Sequence, residues 1–199
     1  MIHQMLALVT FVAALGSGVI GGVFFAFSSF VLPALARLPG LDGMLAMQSI
    51  NVVVLNRSFL SVFAGTALAG AVVVVDGCWH WAAPGAGLRV SGGLFYVIGT
   101  FGVTMKLNVP WNDKLAALPA HGAESARAWA NFVARWGLWN HVRGAAAIVA
   151  AALLMLALTG CSRYSECAPP APSRSFKLPE RLSQTGLYTA GDAAKRIED

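Results

Sequence analysis

A chain of 199 residues that is 57% hydrophobic and only 12% charged is not composed like a soluble domain, where about a quarter of the residues carry charge. Its formal net charge of +5 does not point to nucleic acid, because no basic stripe with interleaved aromatics lies outside the apolar stretches. The charges are bunched: no Asp, Glu, Lys or Arg falls within 1–36, 58–75, 90–105 or 144–162.

A bilayer core of about 30 Å takes roughly 20 apolar residues as helix. The four charge-free stretches therefore predict four membrane helices, near 5–32, 53–75, 90–107 and 137–160. The fold class expected is all-α: an integral membrane four-helix bundle over residues 1–161, followed by a polar, Pro-rich, disordered C-terminal tail over 162–199. The first stretch has no Lys or Arg ahead of it and exceeds the apolar core of a secretion signal, about 7–15 residues. It is expected to stay as a span.

Within that first stretch, "GSGVIGG" places Gly18 and Gly22 four apart, with Ser17 and Gly21 as a second small pair. Gly65 and Ala69 repeat the spacing in the second. Small residues let helix backbones approach closely where lipid supplies no hydrophobic drive between helices. Such faces suit packing inside the bundle and contacts in a homo-oligomer alike.

Between the first and second spans, "MQSIN" puts Gln48 and Asn51 three apart on one face. At the end of the third, "KLNVPWND" places Asn108 and Asn112 around Pro110. Proline lacks a backbone donor and biases its predecessor toward extended structure. The third helix is thus expected to stop near Leu107 and restart at Pro110.

The fourth stretch opens with "WGLWNHVR". At about 100° per residue, Trp129, Phe132, Trp136, Trp139, Asn140 and Arg143 share an arc of about 100°, and His141 points away. With four spans, the first and third loops share a side, so Gln48, Asn51, Asn108, Asn112, Asn140 and Arg143 can converge at one mouth. Belt anchoring by Trp, snorkelling by Arg and capping by Asn are the plainer readings of each residue alone. Together, five amides and a guanidinium in so apolar a chain point to a pocket for an anionic or phenolic aromatic.

Lys and Arg set orientation. Arg37, Arg57, Lys106, Lys114, Arg127, Arg135 and Arg143 lie on the side of loops 1 and 3, against Arg89, Arg163, Arg174 and Lys177 on the other. This excess places loops 1 and 3 in the cytoplasm and the termini outside the cell membrane. Cys78, Cys161 and Cys167 then share the outer, oxidising side, where a disulfide is permitted and one thiol is left over. No C-x-x-C, H-E-x-x-H or P-loop occurs, so no metal or nucleotide signature is present.

"FSSFVLPALARLP", "AMQSINVVVLN", "GTFGVTMKLNVPWNDKL" and "WGLWNHVR" together resemble the DUF1772 family, also called the anthrone oxygenase-like family, over roughly residues 10–158. The N-x-P-x-N and W-N-x-x-R elements, in that order, carry the resemblance. It implies an integral membrane oxygenase that turns polyketide anthrones into anthraquinones with O₂ as co-substrate and no cofactor. On that chemistry Trp136 and Trp139 form the slot for the rings. Arg143, with Asn140, Asn108 or Asn112, holds the oxyanion, and Gln48 and Asn51 help to bind. The proton acceptor is not apparent, because Asp113 and His141 lie off the face. The alternative is a non-catalytic membrane module, or partner subunit, that binds a lipid or hydrophobic ligand. A transporter fits less well, as no midplane ion site or pair of broken helices is present.

Overall fold

The computed structural model describes residues 2–119 and 121–167, with side chains from Gln4 to Thr159. Among these residues the fold is all-helical. Four helices are long and apolar enough to cross a membrane: α1 (Gln4–Leu35), α3 (Arg57–Trp79), α4 (Ala86–Ala116) and the apolar part Ala123–Thr159 of α5. A shorter helix, α2 (Asp42–Val53), follows α1, and α5 as a whole runs Ala123–Cys167. The chain is a multi-pass membrane protein. Helix α5 carries on past the expected boundary at residue 161, and the rest of the Pro-rich segment lies outside the described residues.

Apolar residues cover the outward surface of the spans, as lipid requires, and much of the inward surface as well. Leu8, Phe11, Leu15, Val19 and Phe25 of α1 are exposed. On the opposite face Ala13, Ala14, Ile20 and Phe24 are buried. Three apolar clusters follow along the bundle. At one end are Ala13, Ala14, Val73 and Leu154. Ile20, Phe24, Phe63, Tyr96, Ala147 and Ala150 come next. The third, at the end carrying the first and third loops, joins Leu32, Met44, Met47, Leu115, Trp129, Phe132 and Trp136. Helix α2 caps that end.

Close approach between helices depends on small residues, but not on all those singled out by spacing. A Cβ on Gly93 would come 2.7 Å from the Gly70 carbonyl oxygen, and one on Gly21 would come 3.1 Å from Ile148. These glycines let α3 meet α4 and α1 meet α5. Gly18, Gly22 and Gly65 instead have open space beyond Cα. They face outward, so internal packing of α1 falls to Gly16, where a Cβ would run into Thr66, and to the Ser17/Gly21 pair, with Ser17 fully buried and bonded back to the Ala13 carbonyl at 2.7 Å.

Local signals place the helix starts. The Asn56 side chain accepts from the Phe59 amide at 3.0 Å and caps α3. Gly85 opens α4 with φ of 75°, a conformation that costs a side-chained residue but not glycine.

The expected break in the third span does not occur. Helix α4 continues through Pro110, and Asn108 and Val109 both keep right-handed helical dihedrals. The turns before the proline are instead widened into π-helical stretches, Phe95–Gly102 and Thr104–Asn108. The Val109 amide reaches back five residues to the Thr104 carbonyl. A wider turn absorbs the missing donor and the bulk of the ring without ending the helix. Helix α1 carries a similar stretch at Phe27–Val31, just before Pro33.

Candidate functional site

The polar residues of α5 fall on its buried face. Asn140 is 0% exposed and Arg143 5%. One turn apart, they are locked together: the Asn140 Oδ1 accepts from Arg143 Nη2 at 2.8 Å and from Nε at 3.1 Å. The amide end of Asn140 faces the other way and donates to the Phe24 carbonyl and to Ser28 Oγ, each at 2.8 Å. Arg143 Nη1 donates to Thr104 Oγ1 at 3.2 Å.

Every partner of this pair comes from, or borders, a widened turn. Ser28 lies in the π-helical stretch of α1, and Phe24 lies one turn before it. Thr104 and Asn108 lie in that of α4. Thr100, also in a π-helical stretch, donates to the Arg143 carbonyl at 3.1 Å, and Asn108 Nδ2 donates to the Trp136 carbonyl at 3.2 Å. A widened turn re-aims side chains and frees carbonyls from regular pairing, and such turns recur at functional sites. Thr100, Thr104 and Asn108, four apart, form a polar stripe on α4. Thr100, Thr104 and Ser28 were not among the sequence candidates. The four-residue spacing of polar groups in an apolar span was the available signal.

The guanidinium lies between two aromatic layers. Its central carbon sits 3.9 Å from the Phe24 ring centroid and 4.9 Å from that of Trp136. Ring faces attract a cation, and most strongly where water is excluded. No carboxylate pairs with Arg143 among the described residues; Asp76 instead lies 3.7 Å from Arg89 Nη2 and 3.1 Å from His80 Nδ1. A buried cation without a counter-ion is costly to hold. It favours any anion that forms beside it.

Trp136 also heads a column of rings. It stacks on Phe132 with centroids 5.6 Å apart, Phe132 stacks on Trp129 at 5.6 Å, and Phe27 meets Trp136 edge-on at 5.9 Å. Trp139 is half-buried and lies outside this column. Several polar atoms around the column are buried without a partner: Trp136 Nε1, Asn108 Oδ1 and Asn112 Oδ1, together with Asn51 Nδ2. Unsatisfied groups of this kind are rare and call for a reason.

The remaining candidates sit at the capped end. Gln48 Nε2 donates to the Leu115 and Leu118 carbonyls at 2.8 and 3.2 Å, which fastens α2 to the end of α4. No hydrogen bond joins Gln48, Asn51 or Asn112 to Arg143. The six polar residues thus separate into an inner set, with Asn140 and Arg143 bonded to each other and Asn108 to the Trp136 carbonyl, and an outer set of Gln48, Asn51 and Asn112. Asp113 is exposed.

Beside the inner set, a groove of about 500 Å³ opens on the outer face between α1 and α5, lined by Ser28, Leu32, Pro33, Val133, Ala134, Gly137, Leu138 and His141. No group of three His, Cys, Asp or Glu side chains gathers to hold a metal ion among the described residues. Cys78 is exposed with a free thiol, and the side chains of Cys161 and Cys167 lie outside the described residues.

A family model described as anthrone oxygenase matches residues 51–153, just over half of the chain. The matched stretch holds α3, α4 and most of α5, and with them Asn108, Asn112, Asn140 and Arg143; α1 lies outside it. No curated protein and no solved structure matches.

Proposed function

This chain belongs to the anthrone oxygenase family, and from that premise we propose that it oxygenates a phenolic or polycyclic aromatic small molecule taken from the membrane, with O₂ as co-substrate and no cofactor. The observation that carries the reading is Arg143, a cation 5% exposed, held by neutral partners and stacked between Phe24 and Trp136. A cation prepared in this way has nothing to reorganise when negative charge develops nearby, and such preorganisation is commonly the largest catalytic contribution.

The chemistry suits that charge. An anthrone carries an acidic benzylic CH₂ conjugated to a ketone. Loss of one proton leaves the electron pair spread over the rings and the carbonyl oxygen. The anion gives an electron to O₂, and the two radicals combine at the benzylic carbon as a hydroperoxide. Loss of the second C–H proton with cleavage of the O–O bond then yields the quinone carbonyl and water. In sum, CH₂ and O₂ become C=O and H₂O, so O₂ is the only oxidant required. Arg143 with Asn140 lowers the cost of the first anion, and the buried column of Trp136, Phe132 and Trp129 keeps Trp136 fixed against the guanidinium. Asn108, Asn112 and Asn51 carry buried polar atoms with unspent hydrogen-bonding capacity near this end of the bundle.

The excess of Lys and Arg beside loops 1 and 3 supports a cytoplasmic position for this end of the bundle and an outer position for the termini. A second reading, a non-catalytic module binding a lipid or hydrophobic molecule, draws support from the satisfied hydrogen bonds of Arg143 to Asn140 and Thr104. The two part on one experiment. Detergent-purified protein is given a simple anthrone under ¹⁸O₂, and the product is weighed by mass spectrometry. The oxygenase forms anthraquinone with one ¹⁸O atom, faster than the spontaneous reaction; a binding module saturates with ligand and adds nothing to the background.

A further inference from the structure

Arg143 has no carboxylate or imidazole among its hydrogen-bond partners, whereas the groove between α1 and α5 holds an imidazole. His141 lies on the opposite side of α5 from Arg143, among the groove's lining residues. Its Nδ1 is 2.7 Å from the Gly137 carbonyl. A carbonyl oxygen only accepts, so Nδ1 carries the hydrogen, and the lone pair of the neutral ring is on Nε2. Nothing among the described residues bonds to Nε2.

The groove offers one matching donor. Ser28 Oγ already accepts from Asn140 Nδ2 at 2.8 Å, and Asn140 Oδ1 in turn accepts from Arg143. The Ser28 hydroxyl hydrogen has no acceptor among the described residues and is free to point into the groove. A hydroxyl whose oxygen accepts along a chain that begins at a cation becomes a better donor. The buried charge of Arg143 is thereby conveyed to the groove through two hydrogen-bonded side chains.

Leu32, Pro33 and Leu138 make up much of the apolar wall, and His141 is the only titratable residue in the lining. Its volume of about 500 Å³ lies within the range of small-molecule sites, about 300–1,000 Å³. It opens outward between two helices that are long and apolar enough to cross a membrane, which suits entry of a hydrophobic ligand from the bilayer.

We propose that this groove is where a flat phenolic ketone with an acidic CH₂ enters and loses its proton. His141 Nε2 takes the benzylic proton, the electron pair passes to the ring system and its carbonyl oxygen, and Ser28 Oγ–H donates to that oxygen. His141 is then a catalytic residue, and Asn140 and Arg143 act on the bound ligand through Ser28. The assignment rests on the oxygenase reading of the same site, but the proton-transfer step needs no O₂ and is testable alone.

The test is anaerobic. Purified protein is mixed with anthrone in deuterated buffer, and deuterium entering the benzylic position is followed by mass spectrometry in wild type, His141→Gln and His141→Ala. Wild type is expected to exchange well above buffer. His141→Gln should fall toward the buffer rate by about 10²–10⁴-fold, the usual contribution of a positioned base, while still quenching anthrone fluorescence on binding. Added imidazole should restore exchange to His141→Ala, a rescue that a merely structural role does not predict. Exchange in His141→Gln at the wild-type rate overturns the assignment, and so does wild-type exchange no faster than buffer. Oxygen uptake in air on the same preparation separates the two readings. Exchange without uptake leaves His141 as base and removes the oxygenase; uptake that His141→Gln leaves untouched does the reverse.

Discussion

Arg143 and Asn140 define the residue scale. Asn140 uses both ends of its amide, with the oxygen accepting two bonds from Arg143 and the nitrogen reaching α1 at Phe24 and Ser28. Asn140→Ala strips the guanidinium of its main acceptor in a buried place. Leaving a buried group without its hydrogen-bond partner costs about 1–3 kcal/mol, and more where the group is charged, so the thermal midpoint in detergent is expected to drop. Asn140→Asp keeps an acceptor for Arg143 and neutralises the charge the ligand anion needs, but it loses the donor to the Phe24 carbonyl. That variant is expected to melt above Asn140→Ala though below wild type, and to lose about 10²–10³-fold in turnover, the scale of one lost oxyanion contact. Melting and turnover, measured together, separate support of the fold from support of the reaction. The 100° spacing picked out Trp136, Asn140 and Arg143 as one face because α5 is a regular helix there. It offered no sight of Ser28, Thr100 or Thr104, whose bonds depend on what other helices bring.

At the scale of elements, the widened turns of α1 and α4 explain both the site and the failure of the helix-break expectation at Pro110. A rule drawn from regular α-helices treats a proline as an end. In α4 the turns ahead of it open to π-helical pairing, and the side chains of Thr104 and Asn108 are aimed at α5 as a result. Small-residue spacing was likewise half-informative: it marked glycines without saying which side of the helix meets a neighbour. The two sides now make opposite predictions. Gly93→Val forces a side chain against the Gly70 carbonyl at the α3–α4 contact, and overpacking of this kind costs about 1–3 kcal/mol. Gly22→Leu adds bulk where nothing lies within 4 Å. Its melting temperature in dilute detergent should match wild type, whereas Gly93→Val should melt lower.

For the whole molecule, four apolar spans place the chain in a membrane, and the charge bias fixes an expected orientation. Both follow from composition because lipid penalises charge at every position along a span. The orientation has its own check. Cys78 is exposed near the end of α3 with a free thiol, so an impermeant maleimide added outside intact cells is expected to label it in a variant where Cys161 and Cys167 are replaced by Ser. Labelling only after permeabilisation would reverse the topology. The distribution of chemistry is equally directional: the polar set sits toward the loop 1 and loop 3 end, between the Phe24 layer and the Trp136 layer. The most direct measurement of the central claim is oxygen uptake by detergent-purified protein given a simple anthrone, with Arg143→Ala beside it. Uptake above the spontaneous rate, matched by anthraquinone and reduced about 10²–10³-fold in the variant, is the predicted result. Uptake that Arg143→Ala leaves unchanged, or none above background in the wild type, would contradict it.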